Sequence, residues 1–445
     1  MSSTAARAAD QGTGEGRDRH RVWSVAEHLD DILGHIHPLD PIELQLLDAL
    51  GCVLVEDVTV PAALPPFDNS AMDGYAVRTA DVGAATGEHP AVLTVVGDIA
   101  AGSGELPAVG PGEAARIMTG APLPPGGQAV VPVEWTDGGL DDGPVSGMPA
   151  RSTDPRGGSG LVRVFRPVRD GQHVRTRGSD AGAGELALSA GTVLGATQIG
   201  LLAAIGRATV RVRPRPRVVV LSTGSELVQP GEQTGPGRIY DSNSYQLTAA
   251  AQEAGAIAYR VGAVADDAET LRATVEDQLS RADIVVTSGG VSVGAYDVVK
   301  EAMHEVEFRT LAMQPGKPQG FGRIGPDRAP LLALPGNPVS SYVSFELFVR
   351  PVIRTMLGVA GPVHRTTVRA VCPDGIASSP EGRRQFLRGW YEPSEVAGEA
   401  GTVAPVGGSG SHLIKALARA NALIVIPEEV AEVAPGAEVD VVLLA

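Results

Sequence analysis

Three short loops of small residues could bind phosphate groups, because each follows a run of aliphatic and β-branched residues and precedes a helical pattern. They are STGSEL at 222–227, TSGGVSVGAYD at 287–297 and PGNPVSS at 335–341. Their glycines let backbone N–H groups approach a phosphate closely, and the start of a helix adds a partial positive charge. A single loop of this kind is more often only a tight connection between a strand and a helix. Three of them on consecutive strands of one sheet favour phosphate binding.

Three carboxylates in or near these loops indicate a magnesium site. They are Glu226, Asp241 and Asp297. A carboxylate beside a phosphate is repulsive unless a cation lies between them, and Mg²⁺ binds through one or two carboxylates together with substrate phosphates. The three residues are therefore candidate Mg²⁺ ligands. A helix-capping role is the alternative, and it stays open for Asp241 more than for Asp297.

A single lysine is held between two prolines in the segment QPGKP, residues 314–318. Lysine side chains usually lie on solvated surfaces. The flanking prolines restrict the backbone around Lys317, and the segment lies between strand patterns close to the three loops. Lys317 is therefore a candidate for neutralising the charge of an oxyanion.

The elements that must position these loops alternate between strands and helices from about residue 214 onward. Strand-like VVVLSTG, DIVVTSGG and LLALPGNP alternate with helical SYQLTAAAQEAG, ETLRATVEDQLSRA and VVKEAMHEV. This alternation predicts a doubly wound parallel sheet, in which ligands bind beyond the carboxyl ends of the strands. A long helix is expected after residues 335–338, with a kink or break at Pro351. Short β-branched runs before and after this region predict smaller β domains.

Composition limits the functions that this chain can have. Its 445 residues are enough for two to four domains, and a net charge of -16 with 4% aromatic residues argues against nucleic-acid binding. Two distant cysteines indicate neither a disulfide framework nor a Cys-based metal site, which fits a reducing cytoplasm. The polar residues 1–21 predict a disordered tail rather than a secretion signal. Residues 186–206 carry no charge, but their glycines favour a turn and a short helix over a membrane span.

Several further segments resemble, in order, the signature motifs of the molybdopterin molybdenumtransferase family, which includes the E domain of the scaffold protein gephyrin. They are PFDNSAMDGYAVR at 66–78, IMTGAPLP at 117–124 and VRTRGSD at 174–180. The three loops and the PGKP segment also match. Each motif alone is moderately specific, whereas the ordered set, which runs from about residue 22 to the C-terminus, is highly specific.

The resemblance implies an α/β multidomain fold with four domains. Residues 22–50 and 169–212 would form a discontinuous domain, with a mainly β domain, 51–168, inserted in it. A doubly wound molybdopterin-binding-type α/β domain, 213–360, and a β-barrel-like domain, 361–445, would follow. The family also implies an elongated homodimer whose active site lies in a cleft between subunits.

The implied reaction inserts molybdate into adenylylated molybdopterin, with Mg²⁺-dependent cleavage of the phosphoanhydride and release of molybdenum cofactor and AMP. Glu226 and Asp297 would organise Mg²⁺ and an attacking oxygen, with Asp241 as a further metal ligand. Lys317 and Ser340 would hold molybdate, helped by Arg383 and Ser411. The central loops would bind the pterin end through Thr223, Ser288, Gly289, Gly290, Ser292, Gly294, Gly336 and Asn337. Asp73, Thr119, Arg175 and Asp180 would approach the nucleotide from the N-terminal half.

Two positions depart from the commoner family pattern. Gln314 stands where many members carry a second lysine, so the anion site has one positive charge fewer. Ser179 replaces a frequent acidic residue beside the retained Asp180. The first departure affects the expected affinity for molybdate rather than the type of reaction.

Two other functions are compatible with parts of the pattern. The gephyrin likeness allows a scaffold that clusters other proteins, although the retained Asp73, Glu226 and Asp297 favour catalysis. The preceding step, adenylylation of molybdopterin, uses proteins that share the TSGG-type loop but resemble only one small α/β domain. The flanking domains argue against this second alternative.

Overall fold

The computed structural model describes residues 21–148, 160–290, 298–396 and 398–444. The predicted tail up to residue 20 and the candidate site residues Ser292, Gly294 and Asp297 lie outside this range. The chain divides into two compact units. The first contains the residues up to Val55, Gly191–Gly195 and the residues from Val210 onward, and the second contains Glu56–Ala190 and Ala196–Thr209.

Strands and short helices follow one another along the chain in four groups. The N-terminal segment contains β1 (Val22–Trp23), α1 (Val25–Leu33), β2 (Ile42–Gln45) and β3 (Val53–Leu54). The second unit contains β4 (Val58–Thr59), β5 (Asn69–Ser70), β6 (Gly74–Val77), α2 (Thr79–Val82), β7 (Ala91–Ile99), β8 (Glu113–Ile117), β9 (Ala129–Pro132), β10 (Leu161–Val164), β11 (Val174–Arg175), β12 (Leu186–Leu188) and α3 (Ala196–Ala204). The central region contains β13 (Thr209–Arg213), β14 (Arg217–Thr223), β15 (Leu227–Val228), β16 (Ile239–Tyr240), α4 (Asn243–Glu253), β17 (Ile257–Val264), α5 (Ala268–Gln278), β18 (Ile284–Ser288), α6 (Val298–Ala302), β19 (Val306–Leu311), β20 (Met313–Gln314), β21 (Pro318–Ile324), β22 (Ala329–Leu334), α7 (Pro338–Ser344) and α8 (Arg350–Met356). The C-terminal region contains β23 (Thr367–Cys372), β24 (Arg384–Glu392), β25 (Gly401–Pro405), α9 (Ile414–Leu417), β26 (Ala422–Ile426) and β27 (Ala437–Leu443).

The central sheet of the first unit has the strand order β1-β19-β21-β22-β18-β14-β17. The strands β17, β14, β18 and β22 are parallel, as their alternation with helices predicts. The strand β21 is antiparallel to both β22 and β19, so the sheet is mixed rather than entirely parallel. A turn rather than a helix joins β21 to β22. Because a turn reverses the direction of the chain, the two strands are antiparallel.

Both faces of this sheet are covered by helices, which confirms the predicted doubly wound architecture. Val218 and Val220 of β14 pack in one apolar cluster with Leu247 of α4. Val219 and Leu221 point to the opposite face and pack in a second cluster with α5. Successive side chains of a strand point to opposite faces, so a strand buried on both sides must be apolar throughout. This requirement explains the continuous VVVL run.

The helix α1 of the N-terminal segment is capped by its own sequence. The Ser24 hydroxyl accepts from the Glu27 N–H, and the Glu27 carboxylate accepts from the Ser24 N–H. Hydrogen bonding to Ser24 lowers the pKa of Glu27. The strand β1 extends the central sheet, and residues of α1 belong to its apolar core. The later stretch that contains Ile42 forms a strand of a small sheet with β13 and β3.

The long helix after β22 changes geometry just before Pro351. Residues 338–356 form α7, a π-helical turn at Phe345–Val349, and then α8. A proline has no N–H to donate within a helix, so the wider turn before Pro351 replaces the expected kink or break. Glu346 in this turn is buried and forms a paired contact with Arg365, at 2.8 and 3.0 Å.

The C-terminal region is a closed barrel, as the β-barrel-like prediction requires. The order β24-β25-β23-β27-β26 returns to β24 through a β24–β26 pairing. The short strand β20 of the central region also pairs with β24, Met313 with Arg384 and Gln314 with Gln385. A backbone ladder therefore joins the barrel to the segment that contains Lys317.

The second unit is built around a five-stranded sheet of the order β10-β7-β8-β6-β9. The strand β6 lies within the PFDNSAMDGYAVR motif, and β5 of the same motif pairs with β11 of the VRTRGSD motif. The uncharged residues 186–206 contain a turn and the short helix α3, as the sequence predicts, and they begin with the short strand β12, which was not predicted. Among the residues that the structure describes, no helix is both long enough and apolar enough to span a membrane.

Candidate functional site

The three small-residue loops meet at the carboxyl ends of the central strands and line one cavity of about 910 Å³. The predicted residues that line it are Thr223, Glu226, Asp241, Ser288, Gly289, Gly290, Gly336, Asn337 and Ser340. The sheet topology explains this convergence, because the parallel strands β14, β18 and β22 are neighbours and end at the same edge.

Neighbouring atoms lie so close to both glycines of the TSGG loop that a side chain would not fit there. Gly289 has φ +97°, and a Cβ atom there would lie 2.5 Å from the carbonyl oxygen of Thr223. Gly290 has φ +64°, and its Cβ would lie 2.8 Å from a methyl group of Val299. Any larger residue would be strained by its φ angle and would collide with its surroundings. The pattern TSGG thus reflects the packing of two loops against each other.

A buried network around Asn243 links the loops. The Asn243 amide donates to the Ser288 hydroxyl at 2.8 Å and to the carbonyl of Gly336 at 2.7 Å. The hydroxyls of Ser288 and Ser341 are 2.8 Å apart. Asn243 follows Asp241 in the YDSN segment, but the sequence interpretation assigned it no role. Its position in the first turn of α4, just after Asp241, could have identified it from the sequence.

The predicted carboxylates have different surroundings. Glu226 is exposed, and its carboxylate lies against Gly224. Asp241 is buried and accepts hydrogen bonds from the Ser222 hydroxyl at 2.9 Å and from the Ser244 N–H at 3.1 Å. Asp241 thus caps the start of α4, the alternative that the sequence left open, and it still lines the cavity.

Two acidic residues that the sequence interpretation missed, Asp266 and Glu301, also line this cavity. Asp266 lies two residues after the end of β17, so the rule that ligands bind beyond strand ends would have identified it. No cluster of three or more His, Cys, Asp or Glu side chains able to hold a metal occurs among the described residues. Any metal bound here would therefore need ligands beyond these side chains.

A second cavity of about 410 Å³ has the opposite charge. Its lining includes Lys317, Arg383 and Ser411, as predicted for the oxyanion site, and Gln314 beside them. No carboxylate from the described part of the chain lines it. In a chain of net charge -16, a cavity with two cations and no acid is suited to a small anion.

The two cavities adjoin each other. Pro318, Ser340 and His412 line both of them. Ser340 is thus the predicted residue placed between the acidic and the cationic cavity. His412 was not singled out from the sequence, because its loop is distant in the chain from every other lining residue of the larger cavity. A phosphate-bearing ligand in one cavity and an oxyanion in the other would therefore be neighbours.

The remaining predicted residues belong to the second unit. Asp73 accepts hydrogen bonds from the N–H and the hydroxyl of Thr119, at 2.7 and 2.8 Å, so the first two motifs meet there. Arg175 lies opposite Asn69 in the β5–β11 pair. Asp180 is exposed, and its N–H donates to the carbonyl of Leu64 at 3.0 Å. The three motifs of this unit are therefore adjacent in space.

Three protein-family models together match most of this chain. Residues 23–206 match the MoeA N-terminal region (domain I and II), and residues 219–355 match a probable molybdopterin binding domain. Residues 369–444 match the MoeA C-terminal region (domain IV). The order of these three matches is the order of the motifs recognised in the sequence.

Curated relatives and solved structures agree with the family models. The chain is 43% identical to molybdopterin molybdenumtransferase 2 of Mycobacterium tuberculosis, over 94% of this chain and 98% of that protein. It is 32% identical to the molybdopterin molybdenumtransferase of Bacillus subtilis, over 90% and 89% of the two chains. A crystal structure of the molybdopterin biosynthesis MoeA protein from Pyrococcus horikoshii covers 96% of this chain and 100% of its own, with 32% identity and a TM-score of 0.68. The chain therefore belongs to the molybdopterin molybdenumtransferase family and is an enzyme of molybdenum cofactor biosynthesis.

Proposed function

We propose that this enzyme inserts molybdate into adenylylated molybdopterin, cleaves the phosphoanhydride and releases molybdenum cofactor and AMP. The observation that carries the proposal is the pair of adjoining cavities, one with phosphate-type loops and one cationic. A pterin that carries phosphate groups fits the first, and a small oxyanion fits the second. The relatives' name, molybdopterin molybdenumtransferase, describes a transfer between these two kinds of ligand.

The loops of the larger cavity would bind and orient the pterin end of the substrate. Gly289, Gly290 and Gly336 allow close approach of the backbone, and Asn337 directly precedes α7. The Asn243 network holds these loops in one arrangement before the substrate arrives. Positioning of this kind contributes much of the catalysis in reactions of phosphate groups. Thr223 and Ser288 would complete this wall, with Ser292 and Gly294 as further predicted contacts.

Mg²⁺ is part of the proposal because the donor set at the larger cavity fits it. Glu226 and Asp241 offer carboxylate oxygens, which Mg²⁺ prefers, and substrate phosphates would complete its coordination. Bound Mg²⁺ would neutralise charge that develops on the phosphoanhydride. Glu226 would act together with Asp297 in orienting the attacking oxygen, and Asp266 is a further candidate from the same cavity.

The cationic cavity would hold molybdate beside the pterin. Lys317 and Arg383 supply the positive charge, while Ser340 and Ser411 supply hydroxyl donors. Gln314 contributes a neutral amide where a second lysine is common in the family. The position of Ser340 and His412 at the junction of the cavities would bring the oxyanion next to the bound pterin.

We further propose that the enzyme is a cytoplasmic homodimer and that Asp73, Thr119, Arg175 and Asp180 complete the site for the nucleotide. Exposed apolar side chains in the N-terminal segment support an interface between copies. Leu47 is 83% exposed, Leu50 51% and Ile42 43%. Three such residues in one short segment exceed the scattered exposure that is normal for a monomer.

The direct test is to incubate the purified chain with adenylylated molybdopterin, Mg²⁺ and molybdate. We expect AMP release that depends on molybdate, together with a product that reconstitutes a molybdenum enzyme from its cofactor-free form. The matched control omits molybdate and keeps Mg²⁺. AMP release without active cofactor, or no reaction at all under these conditions, would contradict the proposal.

A further inference from the structure

A buried arginine without an acidic partner lies behind the cationic cavity. Arg388, on β24, is only 1% exposed. Burial lowers its pKa, and it forms no ion pair with any residue in the described part of the chain. Burying a charge costs free energy unless hydrogen bonds or a counter-charge compensate it. The contacts of Arg388 therefore need a functional or structural reason.

Those contacts are with the glycine-rich loop that lines the cavity. The guanidinium of Arg388 donates to the carbonyl of Gly408 and, at 3.2 Å, to the carbonyl of Gly410. The residues that follow these carbonyls, Ser409 and Ser411, line the cationic cavity together with Gly410 and His412. The fixed fork of a guanidinium matches two carbonyls that are two residues apart.

This arrangement determines where the loop directs its donors. In a trans peptide the carbonyl and the following N–H point in opposite directions. With the carbonyls of Gly408 and Gly410 turned toward Arg388, the N–H groups of Ser409 and Ser411 point away from it. The carbonyl of Ser411 is also engaged, because it accepts from the N–H of Val339 at 3.0 Å.

The N–H groups of residues 409–412 donate to no acceptor within the described parts of the chain. Successive free backbone N–H groups form a concave site that favours anions. The sequence GGSGS has no bulky side chain that could order such a site, and a free loop of this composition would be flexible. Ordering it only when an anion binds would weaken the binding.

We propose that Arg388 is a positioning residue that holds loop 408–412 with its carbonyls turned away from the cavity, so that its N–H groups can bind the oxyanion. The inference rests on the proposed function, since it assigns molybdate as that oxyanion. Arg388 itself does not line the cavity and acts through the loop.

The test compares Arg388→Met and Arg388→Lys with a matched pair at Arg369. Arg369 lies on β23 of the same barrel, contacts Glu438 and Asp440 on the surface and does not line the cationic cavity. We expect Arg388→Met to raise the KM for molybdate about tenfold, whereas kcat at saturating molybdate changes about threefold or less. The Arg369 variants should retain the parental KM.

The KM for molybdate and the Tm together distinguish a positioning role of Arg388 from simple destabilisation of the fold. A purely structural role would lower the Tm and the active fraction but leave the KM for molybdate unchanged, which would overturn the proposal. If Arg388→Met does not fold, Arg388→Lys decides, because an ammonium lacks the planar fork and should raise the KM about threefold. A parental KM in folded Arg388→Lys would contradict the proposal.

Equilibrium dialysis with molybdate alone distinguishes this proposal from the proposed function. If the parent binds molybdate but releases no AMP, the proposed function fails, and the affinities of the Arg388 variants still decide the role of Arg388. Weaker molybdate binding in both Arg388 variants supports positioning. Equal binding in the parent and the variants rejects it.

Discussion

At the scale of single residues, charge separates the two neighbouring cavities. Four acidic residues, Glu226, Asp241, Asp266 and Glu301, line the larger one, whereas Lys317 and Arg383 line the smaller one without any acid from the described residues. A free anion is repelled by the first and attracted by the second, so the cavities are suited to different ligands. Substitutions in the two cavities should therefore affect different kinetic parameters.

The acidic cavity gives the first prediction. We expect Glu226→Gln and Asp297→Asn to lower turnover on the order of 100-fold or more, because a neutral amide cannot replace a carboxylate as a ligand of Mg²⁺ or in orienting an attacking oxygen. AMP release at saturating substrate is the measurement, and circular dichroism checks the fold. The control Glu232→Gln changes an exposed residue of the same region that does not line the cavity. Near-normal AMP release in either site variant would remove that residue from the mechanism.

The cationic cavity gives the second prediction. We expect Lys317→Ala to raise the molybdate concentration for half-maximal activity about tenfold, since a charge-assisted hydrogen bond contributes about 1.5–3 kcal/mol. The KM for the pterin substrate should change much less. Lys300→Ala is the control, because Lys300 is an exposed lysine on α6 that does not line either of these cavities. An unchanged molybdate dependence in Lys317→Ala would place Lys317 elsewhere in the site.

Residue types and spacing could predict the loop residues but not all their neighbours. Thr223 and Ser288 end strands and Gly336 comes just after one, so a rule about strand ends finds all three. His412 comes from the barrel, and its approach to Ser340 depends on tertiary packing that no local pattern encodes. Asp241 shows another limit of prediction from sequence. Capping a helix and lining the cavity were treated as alternatives, whereas this residue does both. The catalytic and binding roles assigned to these residues stay predictions.

At the scale of elements, the sequence predicts strands and helices better than their partners. The runs that form β14, β18 and β22 are apolar on both faces, and this identifies buried strands directly. The pairing of β1 with β19 brings Val22 opposite Thr310, which is far away in the chain, and no short-range pattern indicates such a pairing. The antiparallel direction of β21 depends on a turn between β21 and β22 rather than on the residues of the strand itself.

The helix α1 gives a prediction about pH. His28 is buried against Phe348, with ring centroids 4.8 Å apart, and lies near Arg309 and Asp31. Burial, reinforced by Arg309, lowers the pKa of His28 from 6.5 to about 3. Below pH 6.5 the unfolded chain binds a proton that the folded chain does not, so the contribution of His28 to stability is full above pH 6.5 and falls as the pH drops toward 3.

We therefore expect His28→Gln to flatten the acid side of the stability profile. Urea unfolding between pH 4.5 and 7.5 measures it, and one such group changes the free energy of unfolding by at most about 1.4 kcal/mol per pH unit. His37→Gln is the control, since His37 is exposed. If parent and His28→Gln lose stability in parallel as the pH falls, His28 is not the group responsible.

At the scale of the whole molecule, the homodimer proposal makes a prediction about shared sites. Asp73 belongs to the second compact unit, whereas Asp297 belongs to the first. If the site takes Asp73 from one subunit and Asp297 from the other, a mixed dimer of Asp73→Ala and Asp297→Ala chains carries one intact site. We expect partial recovery of AMP release when the two inactive variants are mixed under conditions of subunit exchange. An obligate interface of this kind should bury more than roughly 2,000 Å².

Two controls accompany that experiment. Each variant alone, taken through the same exchange procedure, should stay inactive, and sedimentation should show a dimer for both. Mixtures that exchange subunits but never regain activity would mean that each site lies within one chain.

The pairing of β20 with β24 has a consequence for anion selection. Met313 and Gln314 belong to the central region, yet they are hydrogen-bonded to a strand of the closed barrel, and Val339 adds a bond to Ser411 nearby. Moving the barrel away from the α/β domain would break these hydrogen bonds, at a cost in free energy of about 1 kcal/mol for each bond. We therefore expect the cationic cavity to keep nearly the same dimensions when anions of different size bind. The cavity would then select among tetrahedral oxyanions by their radius and charge density, because the protein does not close around the bound anion.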